Sequence, residues 1–339
     1  MRAPRILLLA VICAIVPVGA ASFDFPPDAT SARPFESWLA DLLVEARERG
    51  YGDELLARTL GGLQPLPNVL ENDRTQPEAK LTFEEYVSRR VTPDAVRRGR
   101  ELLLTHREVL GEIRDAFGVP PSVIVAIWGL ESRFGQSSGD VPVFAALATL
   151  AWEARRGAFF RSQLYDALTI VDRGYIDAPS MSGSWAGAMG QPQFMPSSYL
   201  AYAVDFDGDG RRDIWTSHAD TFASIANYLK SHGWRGDEWG REVRATPATL
   251  RRIAKGVGSR DSGCRAMRGM TGVRSLADWR RLGPKRADGR DLPSTPRHAR
   301  LVRAGTRQFL VYDNYDALLR YNCAHHYALS VALLADRLR

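Results

Sequence analysis

Lysine is scarce in this chain of 339 residues: only four of its 45 basic residues, Lys80, Lys230, Lys255 and Lys285, are lysines. The formal charge is a mild +6, and no aromatic–basic motif accompanies the arginines, which argues against a nucleic-acid partner. Histidine forms no metal-ligand pattern. His325 and His326 are adjacent and so point apart on a helix, while His218 and His232 stand alone, and this removes zinc from consideration. Beyond residue 21 no stretch reaches the roughly 18 apolar residues that a membrane helix requires, so no membrane span is expected. Repeats and low-complexity segments are absent. Cysteine is rarest of all these, with Cys13, Cys264 and Cys323 alone.

The one long apolar run lies at residues 6–21, behind Met1-Arg2-Ala3-Pro4-Arg5 and ending in Gly19, Ala20 and Ala21. That is the form of a secretory signal peptide over residues 1–21. A lipoprotein anchor at Cys13 fits less well, because Ala10-Val11-Ile12 precede it where small residues are expected. Loss of the leader removes Arg2 and Arg5 and leaves a charge of +4. Export places Cys264 and Cys323 where a disulfide can form, although their separation in sequence says nothing about distance in space.

The remaining length exceeds a usual single domain. Apolar residues at helical spacing (Phe35, Trp38, Leu39 and Leu42, later Leu102, Leu110 and Ile113) make residues 22–115 a helical N-terminal part, with a loop at 65–77. Residues 116–245 are dense in aromatics, glycines and short polar motifs and form the expected core. Glycine, proline and arginine then interrupt short apolar pieces over 246–310, a small lobe of mixed strand and irregular structure. Residues 311–339 return to a helical pattern. The fold class expected is α+β, predominantly α-helical.

Within the core, Val119-Pro120-Pro121-Ser122 opens a helix, since proline is tolerated in a first turn where its missing N–H is not needed. Ile124, Ile127 and Trp128 line one face, and Glu131 falls seven residues after Ile124 on that same apolar face before Phe134-Gly135 closes the helix. A carboxyl group placed there is desolvated, which favours its protonated form near neutral pH and suits a general acid. A buried Glu paired with Arg133 or another arginine is the alternative, because an unpaired buried carboxylate is costly.

Residues 205–216 carry a second pattern. Asp205, Asp207, Asp209 and Asp213 occupy positions one, three, five and nine of a loop with Gly210 at six and the Arg211 carbonyl at seven, the spacing of an EF-hand calcium loop. Thr216 stands at position twelve, where a bidentate Glu is usual.

The segments Ile127-Trp128-Gly129-Leu130-Glu131-Ser132-Arg133-Phe134-Gly135 and Gly187-Ala188-Met189-Gly190-Gln191-Pro192-Gln193-Phe194-Met195-Pro196 resemble the lytic murein transglycosylase B family. The resemblance extends through the aspartate loop, Ala226-Asn227-Tyr228-Leu229 and Leu319-Arg320-Tyr321-Asn322. It implies a lysozyme-like core that cleaves the bond between N-acetylmuramic acid and N-acetylglucosamine in peptidoglycan without water, leaving a 1,6-anhydromuramyl end. Glu131 would serve first as acid and then as base. By position the resemblance also implies substrate contacts from Ser184, Gln193, Phe194, Tyr86, Tyr228, Tyr321 and Tyr327, with Arg155 and Arg156 for substrate carboxylates.

For the loop it implies structural Ca2+, with Asp220 as a further ligand. Asp220 fits equally as the cap of a helix read over 222–229. The family's setting is the periplasm, with peptidoglycan glycan strands as substrate and proteins of cell-wall synthesis as the partner class. Three rival readings stand beside it: a hydrolytic muramidase using Asp140 or Glu153 as a second acid, a non-catalytic peptidoglycan-binding or scaffolding protein, and a calcium-dependent structural protein, which would leave the carboxylate helix and the tyrosines without a reason.

Overall fold

A computed structural model describes residues 33–75, 81–153 and 156–339. The segment expected to be a signal peptide, residues 1–21, and Arg155 lie outside them. The fold is α+β and predominantly α-helical, and it divides into two compact units that are discontinuous in sequence. One comprises residues 33–75, 128–153 and 156–224, and the other 81–127 and 225–339. The helical N-terminal part is thus shared between the units rather than standing as a segment of its own.

The first unit is built on two helices, Val143–Trp152 and Gly157–Asp172. The former is apolar on every side, and its residues from Val143 to Ala151 are buried, the expected state of a helix without a polar face. Leu66 and Thr149 tie the N-terminal helices to this centre, the Thr149 hydroxyl accepting the Leu66 N–H at 3.0 Å. The loop expected at 65–77 contains a helix, Pro67–Thr75, because Pro67 occupies a first turn, where it starts a helix rather than ending one.

In the second unit, helix starts follow local chemistry. Thr82 and Glu85 form a reciprocal capping box at the helix Phe83–Arg90. Thr92 and Thr246 cap helices whose first residues are Pro93 and Pro247. A five-stranded antiparallel sheet runs in the order Arg274–Ser275, His298–Ala304, Arg307–Val311, Gly240–Arg244 and Lys285–Arg286. The strand Gly240–Arg244 precedes residue 246, so the small lobe begins earlier than its composition suggests.

Val243, Ile253, Leu276, Trp279, Leu301 and Leu310 form the lobe's core, and the Trp279 indole N–H donates to the Ala299 carbonyl at 3.0 Å. The C-terminal helical stretch is two helices, Asn314–Tyr321 and His325–Leu338. They are broken where Asn322 turns to extended geometry, and Cys323 in that break forms a disulfide with Cys264. No single helix among the described residues is long and apolar enough to cross a membrane.

Candidate active site

The helix carrying the candidate acid spans Pro121–Ser132. Ile124, Ile127 and Trp128 are buried as their spacing predicts, and Glu131 is only 2 % exposed. The chain leaves this helix abruptly: Arg133, Phe134 and Gly135 all take positive φ, at 52°, 61° and 80°. Left-handed backbone costs a side-chain-bearing residue roughly 1–2 kcal/mol, so two such residues in sequence are held there by their surroundings. The Ser132 hydroxyl is one such restraint, donating to the Trp128 carbonyl at 3.1 Å and accepting the Gly135 N–H at 3.0 Å. Phe134 folds back over the helix, where a Cβ on Gly129 would lie 2.5 Å from its ring. Its ring meets that of Trp128 edge to face, and Phe222 and His218 pack on Trp128 as well. Burial lowers the His218 pKa and favours its neutral form.

The glycine-rich segment folds into a tight hairpin, whose residues Met189 and Phe194 exchange backbone hydrogen bonds of 2.7 and 3.0 Å. Ser184 is buried at its base, its hydroxyl accepting the Ala188 N–H at 3.1 Å. A Cβ on Gly183 would sit 2.1 Å from the Ala188 carbonyl oxygen, so only glycine allows the hairpin to close. Gln193 also has a positive φ, 52°, and its side-chain amide donates to the Ser138 and Gly190 carbonyls at 2.7 and 2.8 Å. Its N–H groups thus fix the loop. Phe194 is buried beside it in sequence.

Gln191 lies in the same motif, and neither charge nor periodicity marks it in the sequence. It is buried; its side-chain oxygen accepts the Trp128 indole N–H at 2.7 Å, and its amide N–H donates to the Trp215 carbonyl at 2.8 Å. A buried amide inside a glycine-rich turn was the signal available, since such a group is normally fully hydrogen-bonded.

Arg156 forms an ion pair with the buried Asp73 and lies over the Phe160 ring, 4.9 Å from its centroid. Binding a substrate carboxylate would require it to exchange or share that partner. Of the four expected tyrosines, three come together in the second unit. Tyr228 and Tyr321 have ring centroids 4.7 Å apart and Tyr321 stacks on Tyr327 at 6.3 Å, while the Tyr228 hydroxyl donates to the Arg320 carbonyl at 2.6 Å. Tyr86 packs instead against His326.

In the aspartate loop, oxygen atoms of Asp205, Asp207 and Asp209 lie within 4.8 Å of one another, a group able to hold a metal ion. The Asp205 carboxylate accepts the Gly208 and Gly210 N–H groups at 2.8 and 2.9 Å, and the Asp209 carboxylate accepts the Arg211 N–H at 2.8 Å. Asp213 turns its carboxylate to the N–H groups of Trp215 and Thr216, both at 2.8 Å. The helix after the loop is longer than 222–229, spanning His218–Ser231, so Asp220 lies inside its first turn rather than ahead of it. The capping role belongs to Ser217, whose hydroxyl accepts the Asp220 N–H at 3.2 Å. Asp220 is fully buried and its two oxygens accept the Phe206 and Asp213 N–H groups, each at 2.7 Å. Burial raises its pKa, opposed by these two hydrogen bonds.

Residues 34–336 match the family model described as the transglycosylase SLT domain. The chain is 33 % identical over 249 residues to the membrane-bound lytic murein transglycosylase B of Escherichia coli K12, a match covering 73 % of this chain and 64 % of that protein. The chain therefore spans a little under two thirds of that relative. Among solved structures it is similar to SltB3 from Pseudomonas aeruginosa in complex with NAG-anhNAM-pentapeptide, with TM-score 0.81, 39 % identity, and coverage of 90 % of this chain and 79 % of that one. It is also similar to the Escherichia coli lytic transglycosylase Slt35 in complex with calcium, with TM-score 0.73, 30 % identity, and coverage of 91 % and 93 %.

Proposed function

Because the chain belongs to the transglycosylase SLT domain family, we propose that it cleaves the β-1,4 bond between N-acetylmuramic acid and N-acetylglucosamine in peptidoglycan and leaves 1,6-anhydromuramyl ends. The observation that carries this reading is Glu131, 2 % exposed at the end of an apolar helix and followed by a left-handed turn that fixes the chain. In this reading Glu131 protonates the departing glycosidic oxygen while the substrate's acetamido group stabilises charge at the anomeric carbon. The resulting carboxylate takes the proton of the sugar 6-hydroxyl as the ring closes, so one residue is acid and base in turn. Ordinary glycosidases divide these tasks between two carboxylates.

Ser184, Gln193, Phe194, Tyr86, Tyr228, Tyr321 and Tyr327 are the proposed glycan contacts, with Arg155 and Arg156 for carboxylates of the muramyl and peptide groups. The sugar–pentapeptide ligand of SltB3 supports peptidoglycan as the substrate class. We place the enzyme in the periplasm, where that polymer lies and to which the leader sequence points.

The loop's donors are all oxygens, which fits a hard cation, and Slt35 carries calcium. Asp205, Asp207, Asp209, Asp213, Asp220 and the Arg211 carbonyl would hold Ca2+, which would crosslink the loop and take no part in the chemistry.

Mass spectrometry of the fragments released from purified peptidoglycan tests the reaction. Fragments one water lighter than reducing-end products are expected, and none from Glu131→Gln. Reducing ends would mean a hydrolase with a second carboxylate, and full cleavage by Glu131→Gln would remove Glu131 from the mechanism.

A further inference from the structure

We infer that Gln191 is a positioning residue for Glu131, acting through the indole of Trp128; the inference rests on the reading of Glu131 as the acid. Three contacts make Gln191 a joint between the glycine hairpin, the acid helix and the segment that leaves the aspartate loop. Its backbone N–H donates to the Ile214 carbonyl at 2.8 Å, its side-chain N–H to the Trp215 carbonyl at 2.8 Å, and its side-chain oxygen accepts the Trp128 indole N–H at 2.7 Å. The amide is therefore oriented by its own partners: with the NH2 end bound to a carbonyl, the oxygen end must face the indole.

Trp128 stands three residues before Glu131, so both sit on one face of the helix. The last turn has no other rigid ring of that size, and Ser132, next to Glu131, is bonded to the Trp128 carbonyl at 3.1 Å. Rotation of the indole would carry the Phe134 ring with it, since the two meet edge to face at 5.7 Å. It would also disturb the left-handed exit that follows Glu131. The space around the joint is closed: a Cβ on Gly135 would lie 2.6 Å from the Gln191 side-chain oxygen and 3.3 Å from the indole. A hydrocarbon side chain at 191 would fill that space and leave both the indole N–H and the Trp215 carbonyl without their partner. An acid whose carboxyl must reach a glycosidic oxygen loses rate steeply when displaced, so the effect belongs in kcat rather than in glycan affinity.

The test compares Gln191→Leu, Gln191→Glu, Trp128→Phe and the double variant Gln191→Leu with Trp128→Phe. Gln191→Leu and Trp128→Phe are each expected to lower kcat by between about tenfold and about a hundredfold, with KM for glycan strands unchanged. The double variant should lose no more than either single variant, because one link has been cut twice. Gln191→Glu keeps an acceptor for the indole and, protonated in this buried site, a donor for the Trp215 carbonyl, so it should retain more activity than Gln191→Leu. A raised KM with unchanged kcat, or losses that multiply in the double variant, would overturn the inference.

A second readout does not depend on activity. The indole N–H resonance of Trp128, identified by its disappearance in Trp128→Phe, should move upfield in Gln191→Leu of the folded protein. An unmoved resonance overturns the joint even if the protein cleaves peptidoglycan. A moved resonance in a protein that releases no fragments leaves the joint intact and refutes the proposed reaction instead.

Discussion

Asp220 holds Asp213 by its backbone, one carboxylate oxygen accepting the Asp213 N–H at 2.7 Å while the other accepts that of Phe206 at the same distance. The two bonds clamp the ends of the aspartate loop to the first turn of the helix His218–Ser231. Asp220→Ala leaves both donors without an acceptor in a buried site, at a cost of about 2–4 kcal/mol. Urea denaturation in the presence of a calcium chelator measures this without any metal contribution. Asp220→Asn, which keeps one acceptor oxygen, should lose less. Equal stability of all three proteins would show that the loop closes by other means.

Calcium is expected to raise the melting temperature of the wild-type protein in proportion to the logarithm of its concentration. At a hundred times the dissociation constant the gain is about 2.7 kcal/mol. Asp207→Asn weakens the central cluster of Asp205, Asp207 and Asp209 and should shift the onset of that gain to higher calcium. Melting curves that coincide with and without calcium would contradict the proposed site.

Acid should destabilise the fold well before the carboxylates titrate. Burial pushes His325 down from 6.5 to about 4, and it lowers His218, His232 and His326 in the same direction. Each is a base more readily protonated when unfolded, so its contribution is complete above pH 6.5 and is lost as pH falls toward the folded value. For His325 that amounts to about 3 kcal/mol between pH 6.5 and 4. His325→Gln should flatten this part of the stability profile, although it also alters the 2.9 Å hydrogen bond between His325 and Tyr315. A wild-type profile that is level from pH 7 to 4.5 would refute the assignment.

The disulfide between Cys264 and Cys323 closes a loop with a sequence separation of 59. Loop-closure entropy for that length is worth about 4 kcal/mol. Reduction, or Cys264→Ser with Cys323→Ser, should lower the denaturation midpoint accordingly. Near-ultraviolet circular dichroism should change too, because Cys323 lies in the break between the helices carrying Tyr321 and Tyr327.

Local pattern made much of this legible. The apolar spacing of Ile124, Ile127 and Trp128 placed Glu131 on a buried face, and four aspartates at loop spacing located the acidic cluster. Both are properties of neighbours in sequence, where helical or loop geometry is enough. What escaped depends on contacts at long range. Gln191 meets Trp128 across 63 residues, and no periodicity encodes such a meeting. The role of Asp220 was half legible: its type suited either a ligand or a cap, but Ser217 takes the cap, and Asp220 accepts the Phe206 and Asp213 N–H groups. Asn322 breaks a helical pattern that its neighbours continue, held there beside a disulfide that spacing could not decide. The discontinuous units were hidden for the same reason, since residues 33–75 join the first unit and residues 81–127 the second.

The five-stranded sheet ends at both margins in strands of only two residues, Arg274–Ser275 and Lys285–Arg286, each bearing positive charge. Past the first of these, Leu301 is met not by a further strand but by Thr271, whose hydroxyl accepts its N–H at 2.8 Å and whose own N–H donates to its carbonyl. Past the second, the Ala287 N–H reaches the Glu242 carbonyl at 3.3 Å. Another chain arriving in extended form finds short strands whose flanking backbone is already partly paired. The five-stranded sheet is thereby guarded against growing into fibres through its margins.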